Sequence, residues 1–183
     1  RVSVGAPGSG VQGDVDAILK VAGIKYGDMQ TDFLDFNNTT QRFKDGQLDV
    51  GFVVAGYPTS SIMDLATMHD VDLVEFNEEF LSKLVKEYSY FVRSVIPAGT
   101  YQGVDHDVTT PAVMALLICD ADLPTDLVYR MTKALWDNIE ELRPIHAKAQ
   151  LITLETALDG VSVPLHDGAA QFYKEKGMKI PEF

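Results

Sequence analysis

The feature that most limits what this chain can fold into is a rhythm in its first half, where short apolar strands alternate with amphipathic helices across tight turns. Residues 1–4 (RVSV) read as a short strand of β-branched residues. Gly5, Pro7, Gly8 and Gly10 break that pattern, and Ser9 stands where a helix N-cap belongs. "SGVQGDVDAILKVAG" then sets Val11, Val15, Ile18 and Leu19 at helical spacing and ends on Gly23. "TDFLDF" (31–36) alternates like a half-buried strand, and "NNTTQRFKDGQLD" predicts a helix capped by Asn37 or Asn38 and closed by Gly46. "LDVGFVVAG" (48–56) is an apolar run suited to a central parallel strand. "PTSSIMDLATMHD" predicts a helix with Pro58 in its first turn, and "VDLVEF" (71–76) a further strand. The order β-α-β-α-β-α-β is that of a doubly wound α/β domain with a mostly parallel sheet.

The rhythm changes after about residue 88. "YSYFVRSVIPAGTYQG" reads as an extended crossover with a turn at 97–99, and "DVTTPAVMALLICDADLP" as one long apolar strand. From Pro124 onward the chain is largely helical, through "TDLVYRMTKALWDNIEELR", a shorter stretch at "LITLETALDG", and "HDGAAQFYKEKG". The organisation is therefore an α/β ligand-binding lobe over 1–92, followed over 93–183 by the crossover and a mainly helical C-terminal return. The return has too few strands for a sheet of its own, so it should pack against one not fully present in this chain. Self-association through 107–123 is the corresponding expectation for the chain alone.

Charge narrows the partners. A net charge of −12 and a pI of about 4.6 disfavour nucleic acid and anionic membrane surfaces, both of which need a basic face. No apolar stretch reaches the roughly 18–20 residues of a spanning helix. Cys119 is the only cysteine, so no internal disulfide forms. Its apolar setting reads as a buried structural thiol.

The chemistry rests on the first turn. A glycine-rich turn between a strand and a helix aims several backbone N–H groups at one point, with the positive end of the helix dipole behind them. "GAPGSG" is not G-x-G-x-x-G, and no Gly-Lys-Ser/Thr follows, so the dinucleotide fingerprint and the P-loop both fail on spacing. Two readings remain: glycines used only for backbone geometry, or capture of a small anion by Ser9 with the backbone of Gly10 and Val11. "VVAGYPTSS" (53–61) repeats the theme, with Gly56 ending a strand and Pro58, Thr59 and Ser60 opening a helix. Ligands of open α/β sheets sit beyond the carboxyl ends of the strands, so both turns belong on one edge.

No catalytic, cofactor or metal group emerges beside them. His69 ends a helix, His106 lies between Asp105 and Asp107 in a solvated loop, and His146 and His166 make no metal-ligand spacing. His166 caps or packs the last helix. Tyr88, Tyr90 and Phe91 are either core or crevice lining.

The ordered motifs "VSVGAPGSG", "FKDGQLDVGFVVAGYP", "IPAGTYQG", "LPTDLVYRMTKALWDN" and "PLHDGAAQFYKEKG" together resemble the TAXI family of TRAP-transporter solute receptors, through nearly the whole chain. The resemblance implies a periplasmic-binding-protein type II-like fold, an extracytoplasmic location with a signal peptide upstream, and most of a first lobe upstream as well. It implies a small organic anion as ligand, such as glutamate, a related amino acid, a dicarboxylate or a keto acid, and the TRAP membrane permease subunits as partners. Ser9, Gly10 and Val11 would hold the ligand carboxylate, Gly56, Tyr57, Pro58 and Thr59 would line the opposite wall, and Tyr101 would stand at the crossover. Val11 replaces the family's usual threonine, and Asp167 the proline of its His-Pro-Gly-Ala motif. An enzyme, or a sensory ligand-binding domain on the same fold, is the alternative.

Overall fold

A computed structural model describes residues 1–145 and 147–182. The chain divides into two compact units, Arg1–Val113 and Met114–Phe183. In the first unit the elements are β1 (Val2–Ser3), α1 (Gly10–Ala22), β2 (Thr31–Asp32), α2 (Phe36–Lys44), β3 (Val50–Gly51), α3 (Ser60–Ala66), α4 (Glu78–Glu87), β4 (Phe91–Ile96) and β5 (Val108–Val113). The second holds α5 (Thr125–Asp137), α6 (Ile139–Leu142) and α7 (Asp167–Glu175).

The first three strands form a parallel sheet in the order β2-β1-β3, with Val2 opposite both Thr31 and Val50. Successive side chains of a strand point to opposite faces, and β1 uses both. Val2 and Val4 pack on Val15 and Leu19 of α1. Ser3 points the other way, its hydroxyl 2.7 Å from that of Thr39 in α2, with both residues buried. Helices thus cover both sides of the central strand, as a parallel sheet requires. Beside it, a Cβ on Gly51 would lie 2.8 Å from the Phe43 ring and 2.9 Å from the Thr39 methyl, so only glycine lets α2 rest on β3. The second face of α1, Ala17 and Ile18, packs against Leu84 of α4 and Phe91 of β4, with Tyr88 and Tyr90 around them. Those aromatics are core.

This mixed α/β architecture with a parallel sheet matches the expectation, and the details differ from it in several places. The strands are shorter: 31–36 yields only Thr31–Asp32, because Asp35 leaves the strand to cap α2, accepting from Asn38 N at 2.9 Å in place of the expected Asn37 or Asn38. The run 48–56 yields only Val50–Gly51, which flanks β1 instead of taking the central place expected of it, and Pro58 precedes the N-cap Thr59 instead of lying inside α3. The run 71–76 forms no strand; one bond, Phe76 N to Thr109 O at 2.9 Å, ties it to β5. The expected crossover is the first arm of a hairpin, β4 and β5 pairing antiparallel from Phe91 opposite Val113 to Ile96 opposite Val108.

That register also ends the long strand early. Phe91 is the first residue of β4, so the chain past Val113 has no strand opposite it. Leu117 is 81% exposed and Ile118 79%. Cys119, expected to be buried, is exposed as well.

In the second unit α5 and α7 pack closely. A Cβ on Gly168 would lie 2.3 Å from Thr125 O and 2.6 Å from Tyr129 N, so the helix backbones touch where no side chain intervenes. Phe172 and Tyr173 meet Tyr129 and Trp136 edge-on, and Trp136 Nε1 donates to the Tyr173 hydroxyl at 3.2 Å. His166 caps α7: its Nδ1 accepts from Gly168 N at 3.1 Å, and its Nε2 donates to Leu123 O at 3.0 Å. Asp167 then stands in the first turn, where a carboxylate suits the helix dipole. The stretch "LITLETALDG" is turns rather than helix, entered from a 3-10 segment over Ala147–Leu151.

Candidate functional site

The turn after β1 is built by reciprocal hydrogen bonds. Gly5 enters it at φ +92°, and a Cβ there would lie 2.9 Å from Gln12 N and from the Val11 Cβ. Ser9 N donates to Ala6 O at 3.0 Å, closing the turn. Ser9 Oγ then accepts from Gln12 N at 3.2 Å, while Gln12 Oε1 reaches back to accept from Gly8 N at 2.7 Å. Gln12 is a side chain that shapes this turn and was not singled out from the sequence. Its signal was available, since Ser-x-x-Gln is the spacing of a capping box.

Among the described residues nothing accepts from the N–H groups of Gly10 and Val11, the first two of α1. They sit at the positive end of a 13-residue helix and just past the carboxyl end of a buried parallel strand. The Val11 side chain leans against Gly5 and the cluster of Val4 and Val15. One turn further on, burial pushes the Asp14 carboxyl above its ordinary pKa.

The second turn follows β3, the parallel neighbour of β1, so both turns leave the same edge of the sheet. It is already engaged from within. Thr59 Oγ1 donates to Gly56 O at 3.0 Å, and Thr59 N donates to the Tyr101 hydroxyl at 3.0 Å. Tyr57 donates its hydroxyl to Val95 O of β4 at 2.9 Å. Tyr101 is 3% exposed and packs with Val104 and Val108, against which Tyr57, Ile62, Leu73 and Ile96 also rest. The structure therefore brings Tyr57, Thr59 and Tyr101 together, leaves Gly56 and Pro58 exposed, and holds Ser9, Gly10 and Val11 in a separate turn. Two hydroxyl-bearing helix N-termini facing one crevice were expected as an anion-binding pair; the cap amide of the second is engaged by the Tyr101 hydroxyl.

A shallow concavity lies at the far end of α1, lined by Asp16, Leu19, Lys20, Gly23 and Tyr26 among others. It surrounds the helix C-cap, where Ile24 N donates to Leu19 O at 2.9 Å, and it gathers no set of groups suited to chemistry. His69 and His106 are exposed, and Asp107 is spent accepting from Ala98 N at 2.8 Å. His146 lies outside the described residues. Among those residues, no three His, Cys, Asp or Glu side chains are grouped to hold a metal ion, and no helix is long and apolar enough to cross a membrane.

The model of one protein family, described as the NMT1-like family, matches residues 1–177. The chain belongs to the NMT1-like family, which is of periplasmic-binding-protein type. Such proteins are extracytoplasmic solute-binding proteins and are typically not enzymes.

Proposed function

We propose that this member of the NMT1-like family is the extracytoplasmic receptor of a TRAP-type transporter, of the TAXI group, and captures a small carboxylate: a glutamate-like amino acid, a dicarboxylate or a keto acid. The observation that carries the reading is the turn at Ser9, where two backbone N–H groups without acceptors meet the positive end of α1 at the carboxyl edge of a parallel sheet. In this reading Ser9, Gly10 and Val11 bind the carboxylate, and Gly56, Tyr57, Pro58 and Thr59 form a second wall. Binding closes the protein around its ligand by a hinge motion, and the closed form docks on the permease. The acidic charge of −12 suits a protein that stays dispersed and meets a basic rim. Self-association of this chain when expressed alone, through 107–123, where Leu117 and Ile118 are bare, is a separate part of the proposal; a monomer by light scattering removes it.

A thermal-shift panel tests the ligand class, with glutamate, glutamine, C4 and C5 dicarboxylates, 2-oxo acids, sugars and nucleotides. Ligand at about a hundred times its dissociation constant adds about 2.7 kcal/mol to stability, a shift of several degrees. A shift with one carboxylate class supports the reading. A shift with nucleotides alone, or with no anion at all, refutes it.

A further inference from the structure

We infer that Tyr101 is a positioning residue, a latch that fixes the 56–59 turn to the β4–β5 hairpin. The two segments are far apart in sequence and are joined by two hydrogen bonds, both donated by the turn. The turn donates to the hairpin through the Tyr57 hydroxyl, which reaches Val95 O at 2.9 Å on β4. It donates a second time through Thr59 N, which the Tyr101 hydroxyl accepts at 3.0 Å. The hairpin loop is shaped for this. Gly99, at φ +74°, donates its N–H to Val104 O at 2.8 Å, and Val104 N returns to Tyr101 O at 3.2 Å. The Tyr101 ring is turned inward onto Val104 and Val108, a cluster against which Tyr57 also rests, and its hydroxyl reaches the Thr59 amide.

Each bond fixes a different end of the turn, since Tyr57 precedes Pro58 and Thr59 caps α3. The peptide at Thr59 N would otherwise be a donor with no partner beside a buried cluster, which is costly. Turn and hairpin therefore move as one body, and any displacement of β4 or β5 is handed to Gly56 and Pro58. The latch itself stands on this geometry; its consequence for ligand affinity rests on the proposed carboxylate reading. Tyr101 affects that affinity without touching the ligand.

The test uses the full chain, isotopically labelled, with hydrogen exchange followed at the Thr59 amide by NMR. Tyr101→Phe keeps the ring and its packing and removes only the acceptor, so exchange at Thr59 should rise about tenfold. Ile62→Val loosens the same cluster without touching the bond and should leave that amide nearly unchanged. Unaltered exchange in Tyr101→Phe, or equal acceleration in both variants, overturns the latch. With L-glutamate as the probe, Tyr101→Phe should raise the dissociation constant several-fold. An unchanged value against a binding wild type overturns the coupling to the site. A wild type that does not bind L-glutamate counts against the carboxylate reading, while the exchange result still decides the latch.

Discussion

Replacing Gly168 by alanine sets two effects against each other, and the structure says which wins. In a helix the change is normally favourable by about 1 kcal/mol, because alanine loses less backbone entropy on folding. Here the new methyl would lie 2.3 Å from Thr125 O, 2.6 Å from Tyr129 N and 3.1 Å from Val128 C. All three are backbone atoms of α5, so no rotamer change relieves the clash, and α7 must retreat by about 1 Å to regain ordinary van der Waals separation. A retreat of that size forfeits a quarter to a half of the dispersion well for the groups that face each other. Those groups are Val128, Phe172 and Tyr173, most of the buried core of the second unit. Overpacking of this kind costs about 1–3 kcal/mol, and with the lost contacts the net expectation is a destabilisation of about 2 kcal/mol or more. Trp136 is the only tryptophan and sits on the same interface, so its fluorescence in urea reports this unit directly. Gly13→Ala is the matched control: it lies inside α1 with nothing within 4 Å of the added carbon, and should stabilise by about 0.5–1 kcal/mol in thermal melts followed by circular dichroism. A Gly168→Ala protein as stable as the wild type would refute the close approach of the two helices.

Three further outcomes are expected. Ser9→Ala should cost about 1 kcal/mol of stability through the lost N-cap and weaken carboxylate binding about tenfold, whereas Ser9→Asp should restore the cap but not the binding; a Ser9→Asp protein that binds carboxylate as well as wild type excludes Ser9 from the site. Burial raises the Asp14 pKa above 3.8, so the fold favours its neutral form, and its stability contribution is full below that value and lost as the pH rises through the raised pKa. Asp14→Asn should therefore raise the melting temperature at pH 7 and gain little at pH 3, and no gain at pH 7 would contradict the burial. His166→Ala should destabilise the second unit by about 1 kcal/mol in the Trp136 assay, with His166→Asn retaining most of the cap; equal loss in both variants would mean that the ring serves by packing.

What could be read in advance was what neighbouring residues decide among themselves. Ser9, Gly23 and His166 each announced a helix end, because a cap is an interaction over two to four residues. That the first strands pair in parallel followed from the alternation of strand and helix; that β1, and not the apolar run 48–56, is the central one did not. Asp35 escaped because it sits inside a run that alternates like a strand, and its value as a cap appears only once β2 stops at Asp32. The antiparallel hairpin escaped because the parallel rhythm before it set the expectation, and nothing local says that Phe91 will face Val113. At the candidate site Ser9, Gly10 and Val11 were legible for the same local reason. The bond from Thr59 to Tyr101 was not, since it joins residues brought together only by the packing of Tyr57, Ile62 and Val104. The close approach at Gly168 belongs to the same class: a glycine in sequence says that something is near, not what.

The strand order has a consequence for the newly made chain. Of the three strands β1 is synthesised before the other two yet ends between them, so both of its hydrogen-bonding edges wait, one for Thr31 and the other for Val50. α1 waits longer. Its inner side meets Val4 at once, but Ala17 and Ile18 have no cover until Leu84 and Phe91 have emerged. Between residues 51 and 91 the ribosome therefore holds a chain whose sheet is paired and whose first helix is still bare on one side. Chaperones that recognise apolar stripes have their opportunity in that interval, and it closes only when the hairpin arrives.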